Sequence, residues 1–125
     1  MVVVDCEAEA LAALPAPDRS GLLAAVAHES NLLVGVILTT RGFAGDQFVS
    51  RFFAPWAGID EDPVTGSAHS VLGPYWTSVL GRRCLRAEQL SARRGVLDVE
   101  VTGDAVVLTG RAVVVMQGSL LLQGV

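Results

Sequence analysis

No stretch of this sequence is apolar for long enough to cross a bilayer. The longest run, Leu32 to Leu38, stops at Thr39, Thr40 and Arg41, far short of the ~20 residues that a spanning helix needs. The N-terminal valines have no basic flank, so a secretory signal is not expected either. Cysteine is scarce: Cys6 and Cys84 lie far apart without CxxC spacing, which predicts two reduced core thiols in a cytoplasmic protein. Aromatic residues make up 6% of the chain and the net charge is −4. The one basic cluster, Arg82, Arg83, Arg86, Arg93 and Arg94, is broken up by apolar residues and a Glu. A nucleic-acid groove wants more positive charge and more stacking surface. Membrane and nucleic acid are therefore excluded as partners.

What the chain has in quantity is apolar side chains. They are 51% of its 125 residues, and the mean hydropathy is +0.49. A single domain of this length makes its own core without a disulfide or a metal. With no membrane span to account for it, the excess predicts an exposed apolar face covered by a partner, either a second lobe or another copy in a homo-oligomer.

Local patterns divide the chain into alternating elements. Val2-Val3-Val4-Asp5-Cys6 reads as a strand, and Glu7 to Leu14 as a helix stopped by Pro15 and Pro17. Asp18 is placed to cap a second helix running to about His28. Leu33 to Thr39 reads as a buried strand, and Gln47 to Ala54 as a strand alternating Phe48, Ser50 and Phe52 against Val49, Arg51 and Phe53. A helix is predicted from Ser67 to Leu80, ended by Gly81, with apolar residues on more than one face and Pro74 as a conflict inside it. Four strands follow, over Cys84 to Leu90, Val96 to Val101, Ala105 to Leu108 and Ala112 to Gln117. Thr102-Gly103-Asp104 and Thr109-Gly110 supply the turns, and Leu120 to Leu122 offers a last short strand. The simplest architecture is one α+β domain over 1–125, a mostly antiparallel sheet wrapped on one buried helix.

The chemistry concentrates in Glu61-Asp62-Pro63-Val64-Thr65-Gly66-Ser67-Ala68-His69. A helix start carries unpaired backbone N–H groups and the positive end of the macrodipole. Gly66 lets a ligand approach the backbone, and the Ser67 hydroxyl both donates and accepts, so the segment suits a carboxylate or a phosphate. Asp62 can hydrogen-bond a ligand hydroxyl or amine, or move a proton if buried. His69 can do acid–base work near neutral pH. The plain alternative is a helix capped by Thr65 or Ser67, with Asp62 complementing its dipole and His69 an ordinary helix residue. Asp60 and Glu61 are expected in solvent.

Ser50-Arg51-Phe52-Phe53-Ala54-Pro55-Trp56-Ala57-Gly58, followed by Glu61 to His69 and Val71-Leu72-Gly73-Pro74-Tyr75-Trp76, resembles the PhzF-like family of phenazine-biosynthesis isomerase-like proteins. Similarity continues from Gln89 to Gly118, and the opening valines with Glu9 to Leu14 resemble the start of that family's C-terminal lobe. The resemblance implies a diaminopimelate epimerase-like fold, in which two lobes, each a sheet rolled around a central helix, enclose the site. It implies Asp62 and Ser67 as catalytic-site residues, with Gly66, Thr65 and His69 lining the substrate position, and neither metal nor cofactor. The family's catalytic glutamate and Gly-Asn-Pro motif belong to the other lobe, and no Gly-Asn-Pro occurs in this chain. The chain thus resembles one lobe, and Met1 stands where that lobe begins in a longer protein.

The same comparison sets the chemistry expected. Thr65 stands where related epimerases carry an acid/base cysteine, and a threonine hydroxyl has too high a pKa to replace a thiolate. That disfavours two-base racemisation and favours a one-base proton shift on a small carboxylate substrate. The other expectation is a non-catalytic, self-associating or protein-binding lobe. One departure stands out: the family reads Ser-x-Arg-Gly-Gly where this chain has Ser91-Ala92-Arg93-Arg94-Gly95, so Arg94 replaces a glycine.

Overall fold

The computed structural model of the chain describes residues 1–15, 17–25, 34–45, 47–119 and 121. Six strands form one open sheet in sequence order: β1 (Val2–Asp5), β2 (Val36–Arg41), β3 (Gln47–Phe53), β4 (Cys84–Gln89), β5 (Gly95–Thr102) and β6 (Ala105–Thr109). Among the described residues three α-helices accompany them: α1 (Ala8–Ala13), α2 (Arg19–Ala25) and α3 (Gly66–Leu80). The fold is α+β, as expected.

The sheet is mixed to a greater degree than the sequence predicted. β1 pairs with β2, and β3 with β4, in parallel, while the other three pairings are antiparallel. The reason lies in the connections. Adjacent strands joined by a short turn run antiparallel, whereas a parallel neighbour needs a long crossover, usually helical. Here α1 and α2 lie between β1 and β2, and α3 lies between β3 and β4.

The core sits between α3 and one face of the sheet. Ile37, Phe48, Phe52, Leu85, Ala87 and Val99 pack there against Ala68, Leu72 and Trp76. The helix approaches β5 and β6 closely at Gly73, where a Cβ would meet methyl groups of Val99 and Val106 at 3.1 Å each. Trp76 Nε1 donates to Thr39 Oγ1 at 2.9 Å, which satisfies both polar groups inside the core. The opposite face of β3 is covered from the α1 side, so Val49, Arg51 and Phe53 are buried as well as Phe48, Ser50 and Phe52. α3 is not buried on most sides: Val71 and Val79 remain exposed on its outer face. Pro74 interrupts neither end of it, and Gly81 (φ 69°) terminates it with its N–H on the Thr77 carbonyl.

Asp18 does cap α2, accepting the Gly21 N–H at 2.8 Å; the expected extension of α2 to His28 and the start of the next strand at Leu33 lie outside the described residues. The strand expected over Ala112 to Gln117 does not form. Residues 111–119 follow the edge strand β6 without regular structure, and Val113, Val114, Val115 and Met116 are 84–93% exposed. A segment apolar on both faces needs a neighbouring strand and two covering layers, and none of these is present among the described residues. The strand expected at Leu120 to Leu122 falls largely outside them. The two thiols are not core residues either: Cys84 is exposed and Cys6 half-buried, because Cys84 shares the outward face of β4 with Arg86 and Glu88. No helix among the described residues is long and apolar enough to cross a membrane.

Candidate functional site

The start of α3 is held from three directions. Asp62 N–H donates to the Phe52 carbonyl at 3.0 Å, which fixes the loop to the end of β3. Ser91 Oγ donates to the Pro63 carbonyl at 2.9 Å. Gln89, at the end of β4 and fully buried, accepts the Thr65 N–H at 2.9 Å and donates to the Asp62 carbonyl at 2.6 Å. Val64 is pressed against Gly95, where a Cβ would lie 1.9 Å from its Cγ2. The close backbone contact is thus made at Gly95. The neighbouring Arg94 keeps a left-handed φ of 56°, the only such non-glycine among the described residues.

Thr65 is the N-cap residue by backbone conformation, but its side chain makes no capping bond. Its hydroxyl turns back to Asp62 Oδ2 instead. The N–H groups of Gly66, Ser67 and Ala68 consequently have no acceptor among the described residues. Gly66 and Ser67 are exposed and Asp62 half-buried. A Cβ at Gly66 would meet only Leu108 Cδ1, at 3.9 Å. The simple capping alternative therefore fails for Thr65.

His69 is placed differently from the other four candidates. It is fully buried, its Nδ1 lies 2.7 Å from the Thr65 carbonyl, and its ring packs 5.9 Å from Phe48. Since a carbonyl can only accept, Nδ1 carries the proton, and the buried Nε2 is left without a partner among the described residues. Burial pushes the imidazole below its ordinary pKa, against the smaller opposing effect of the Thr65 carbonyl. The structure thus gathers Asp62, Gly66 and Ser67 at the surface, with Thr65 and His69 beneath them.

Glu61 is not the solvated acid expected from the sequence. Its carboxylate takes a bidentate pair from Arg51, at 2.7 Å to Nε and 3.0 Å to Nη2. Arg51 also donates to the Leu14 carbonyl and lies over the Phe53 ring at 5.1 Å. Asp60 is exposed, 3.5 Å from Arg19. Beside the loop, a groove is lined by Val64, Arg93, Gly95 and Arg111, while Arg94 is paired with Glu88 at 3.0 Å. Sequence reading missed Gln89, Ser91 and Arg51 as supports of the site. Each meets the loop only through the sheet, and an isolated buried glutamine on an alternating strand gives no local signal of its partners.

Comparison with known proteins identifies the family. The family model described as phenazine biosynthesis-like protein matches residues 2–118. An uncharacterized isomerase of Pseudomonas aeruginosa is 47% identical over 120 residues, covering 96% of this chain and 43% of that protein. The mouse phenazine biosynthesis-like domain-containing protein 2 is 50% identical over 92 residues, 69% of this chain and 32% of its own length. A crystal structure of a phenazine biosynthesis PhzC/PhzF protein from Clostridium difficile superposes with a TM-score of 0.78 at 36% identity, over 96% of this chain and 44% of that one. The chain thus spans less than half the length of the relatives it matches. With the Asp62–His69 segment inside the matched region, the chain belongs to the phenazine biosynthesis-like, PhzC/PhzF, protein family.

Proposed function

We propose that this chain supplies one wall of the active site of a PhzF-like isomerase, which moves a proton on a small carboxylate-bearing substrate without a metal or organic cofactor. The observation that carries the reading is the uncapped start of α3. Three backbone N–H groups, those of Gly66, Ser67 and Ala68, are free where the helix dipole is positive. They would hold the substrate carboxylate, with the exposed Ser67 hydroxyl as a fourth donor. Asp62 would bind a hydroxyl or amine on the same substrate.

Thr65 and His69 act from below in this reading. The Thr65 hydroxyl is engaged with Asp62, so it is not the base, which agrees with the chemistry of an alcohol at neutral pH. His69 stays neutral and holds the Thr65 carbonyl at the first turn. The proton-transferring group would come from a second lobe of a diaminopimelate epimerase-like arrangement, and relatives named as uncharacterized isomerases support isomerase chemistry at the level of the family. Chemistry of this kind needs positioned donors and one base rather than redox or Lewis-acid help. The chain alone would hold a substrate and not turn it over.

Acetate is the simplest probe. Titrated into the protein and followed by amide NMR, it is expected to shift Gly66, Ser67 and Ala68 first. Ser67→Ala should weaken binding several-fold. If acetate at high millimolar concentration leaves those three amides unmoved, the carboxylate site does not exist.

A second reading is favoured by one observation, the bare Val113–Met116 segment. It would be a docking strand for a second lobe or a second copy, and sedimentation of the chain as a concentration-independent monomer would count against it.

A further inference from the structure

We infer that Gln89 is a positioning residue that turns the Thr65 hydroxyl toward Asp62, so that one oxygen of this carboxylate is held in place as an acceptor and the other is left for a ligand. The inference rests on reading the loop as a ligand site, and it adds to that reading the kind of group that must sit beside the ligand's carboxylate.

The direction follows from elementary constraints. A backbone N–H can only donate, so the atom of the Gln89 amide that meets Thr65 N at 2.9 Å is its oxygen. A backbone carbonyl can only accept, so the atom 2.6 Å from the Asp62 carbonyl is its nitrogen. These two contacts fix the amide orientation independently of each other. The second hydrogen on Nε2 then goes to Thr65 Oγ1, 3.1 Å away. Having accepted that hydrogen bond, the Thr65 hydroxyl donates its own to Asp62 Oδ2. The chain of donors therefore runs Gln89 to Thr65 to Asp62 and cannot be reversed while Gln89 is an amide.

The consequence is selective. Asp62 Oδ2 is occupied as an acceptor, and Oδ1 has no partner among the described residues. A ligand reaching Asp62 must bring an O–H or N–H to that oxygen, next to the carboxylate that the helix start receives. Gln89 touches neither ligand nor solvent, being fully buried. Its effect passes entirely through Thr65 and the loop.

The test uses the full chain and needs no ligand for its first part. Side-chain couplings measured by NMR report the χ1 distributions of Asp62 and Thr65. In the wild type both should occupy one well. Thr65→Val deletes the middle hydroxyl and leaves the Gln89 bonds to Thr65 N–H and the Asp62 carbonyl, and it should release Asp62 into averaging. Gln89→Glu is nearly isosteric but, once ionised, accepts where the amide donated. It should release Asp62 at pH 8.5, where neither oxygen of the ionised carboxylate can donate to Thr65 Oγ1 and the Thr65 hydroxyl turns to it instead. A packing role alone would show no such release in a nearly isosteric variant. Ser91→Ala removes another bond to the same loop, from Ser91 Oγ to the Pro63 carbonyl, and should leave Asp62 in its single well. Retention of one Asp62 rotamer in folded Thr65→Val, or equal disorder in Ser91→Ala, overturns the inference. Its second part compares glycolate with acetate: the preference for glycolate should fall about tenfold in Thr65→Val, the loss of one oriented hydrogen bond to a charged group. If the rotamer results hold and neither acid binds the wild type, the carboxylate-site reading fails while the positioning role stands.

Discussion

Replacing Glu61 by Leu is expected to destabilise the fold by about 3 kcal/mol, the lower end of the range for orphaning one partner of a buried ion pair. The side chains of Arg51 and Glu61 are only 7% and 17% exposed, so each relies on the other rather than on water. With Glu61 gone, Arg51 keeps the Leu14 carbonyl and the face of Phe53 but no counter-charge. Arg51→Met should cost less, about 2 kcal/mol, because the more exposed Glu61 can turn into solvent. The double variant removes the charges together and should cost no more than about 2 kcal/mol, leaving a coupling of about 3 kcal/mol. Urea unfolding of the four proteins, followed by the fluorescence of Trp56 and Trp76, gives the cycle. Repeating it in 1 M salt separates a buried pair from a surface one, since screening weakens only exposed charges appreciably. A coupling below about 1 kcal/mol, or one abolished by salt, would place the pair among ordinary surface bridges and refute its role in anchoring the Asp62 loop.

Two further outcomes follow from single side chains. His69 has a lowered pKa in the folded state, so the unfolded chain takes up its proton first as pH falls through about 6.5. Stability should therefore be complete above that pH and decline below it, more for the wild type than for His69→Gln in parallel denaturant melts, by at most about 1.4 kcal/mol at pH 5.5. Arg94 holds a left-handed backbone at φ 56°, where a Cβ costs about 1–2 kcal/mol. Arg94→Gly should relieve more than the exposed Glu88 bridge contributes, raising stability by about 0.5–1 kcal/mol in the same melts despite glycine's entropy cost.

Much of the fold was legible because periodicity and breakers are local. Asp18 capping α2, Gly81 ending α3 and Gly103 in the β5–β6 turn all act on their neighbours in sequence. What was not legible depends on distant partners. Strand direction is one case, since it follows from which connections carry helices. Glu61 is another: as one of three consecutive acids it looks solvated, and only the return of β3 brings Arg51 beneath it. The segment after Thr109 fails for the opposite reason. Its β-forming residues are present, but strand formation is a property of the pair, and β6 is an edge with nothing beside it among the described residues.

The candidate site shows the same division at closer range. Residue types at Asp62, Gly66 and Ser67 point to anion binding because a helix start has that chemistry whatever surrounds it. They leave open whether Thr65 closes the helix start or leaves it free, which decides whether there is a site at all. That choice is made 24 residues away, by Gln89. Its nitrogen donates a hydrogen bond to the Thr65 hydroxyl, so the hydroxyl directs its own hydrogen away from Gln89, and Asp62 lies in reach to accept it. Had position 89 carried a carboxylate, the hydroxyl would have turned inward and Asp62 would have lost its only side-chain donor. The free N–H groups of α3 and the fixed carboxylate beside them are thus two results of one buried amide.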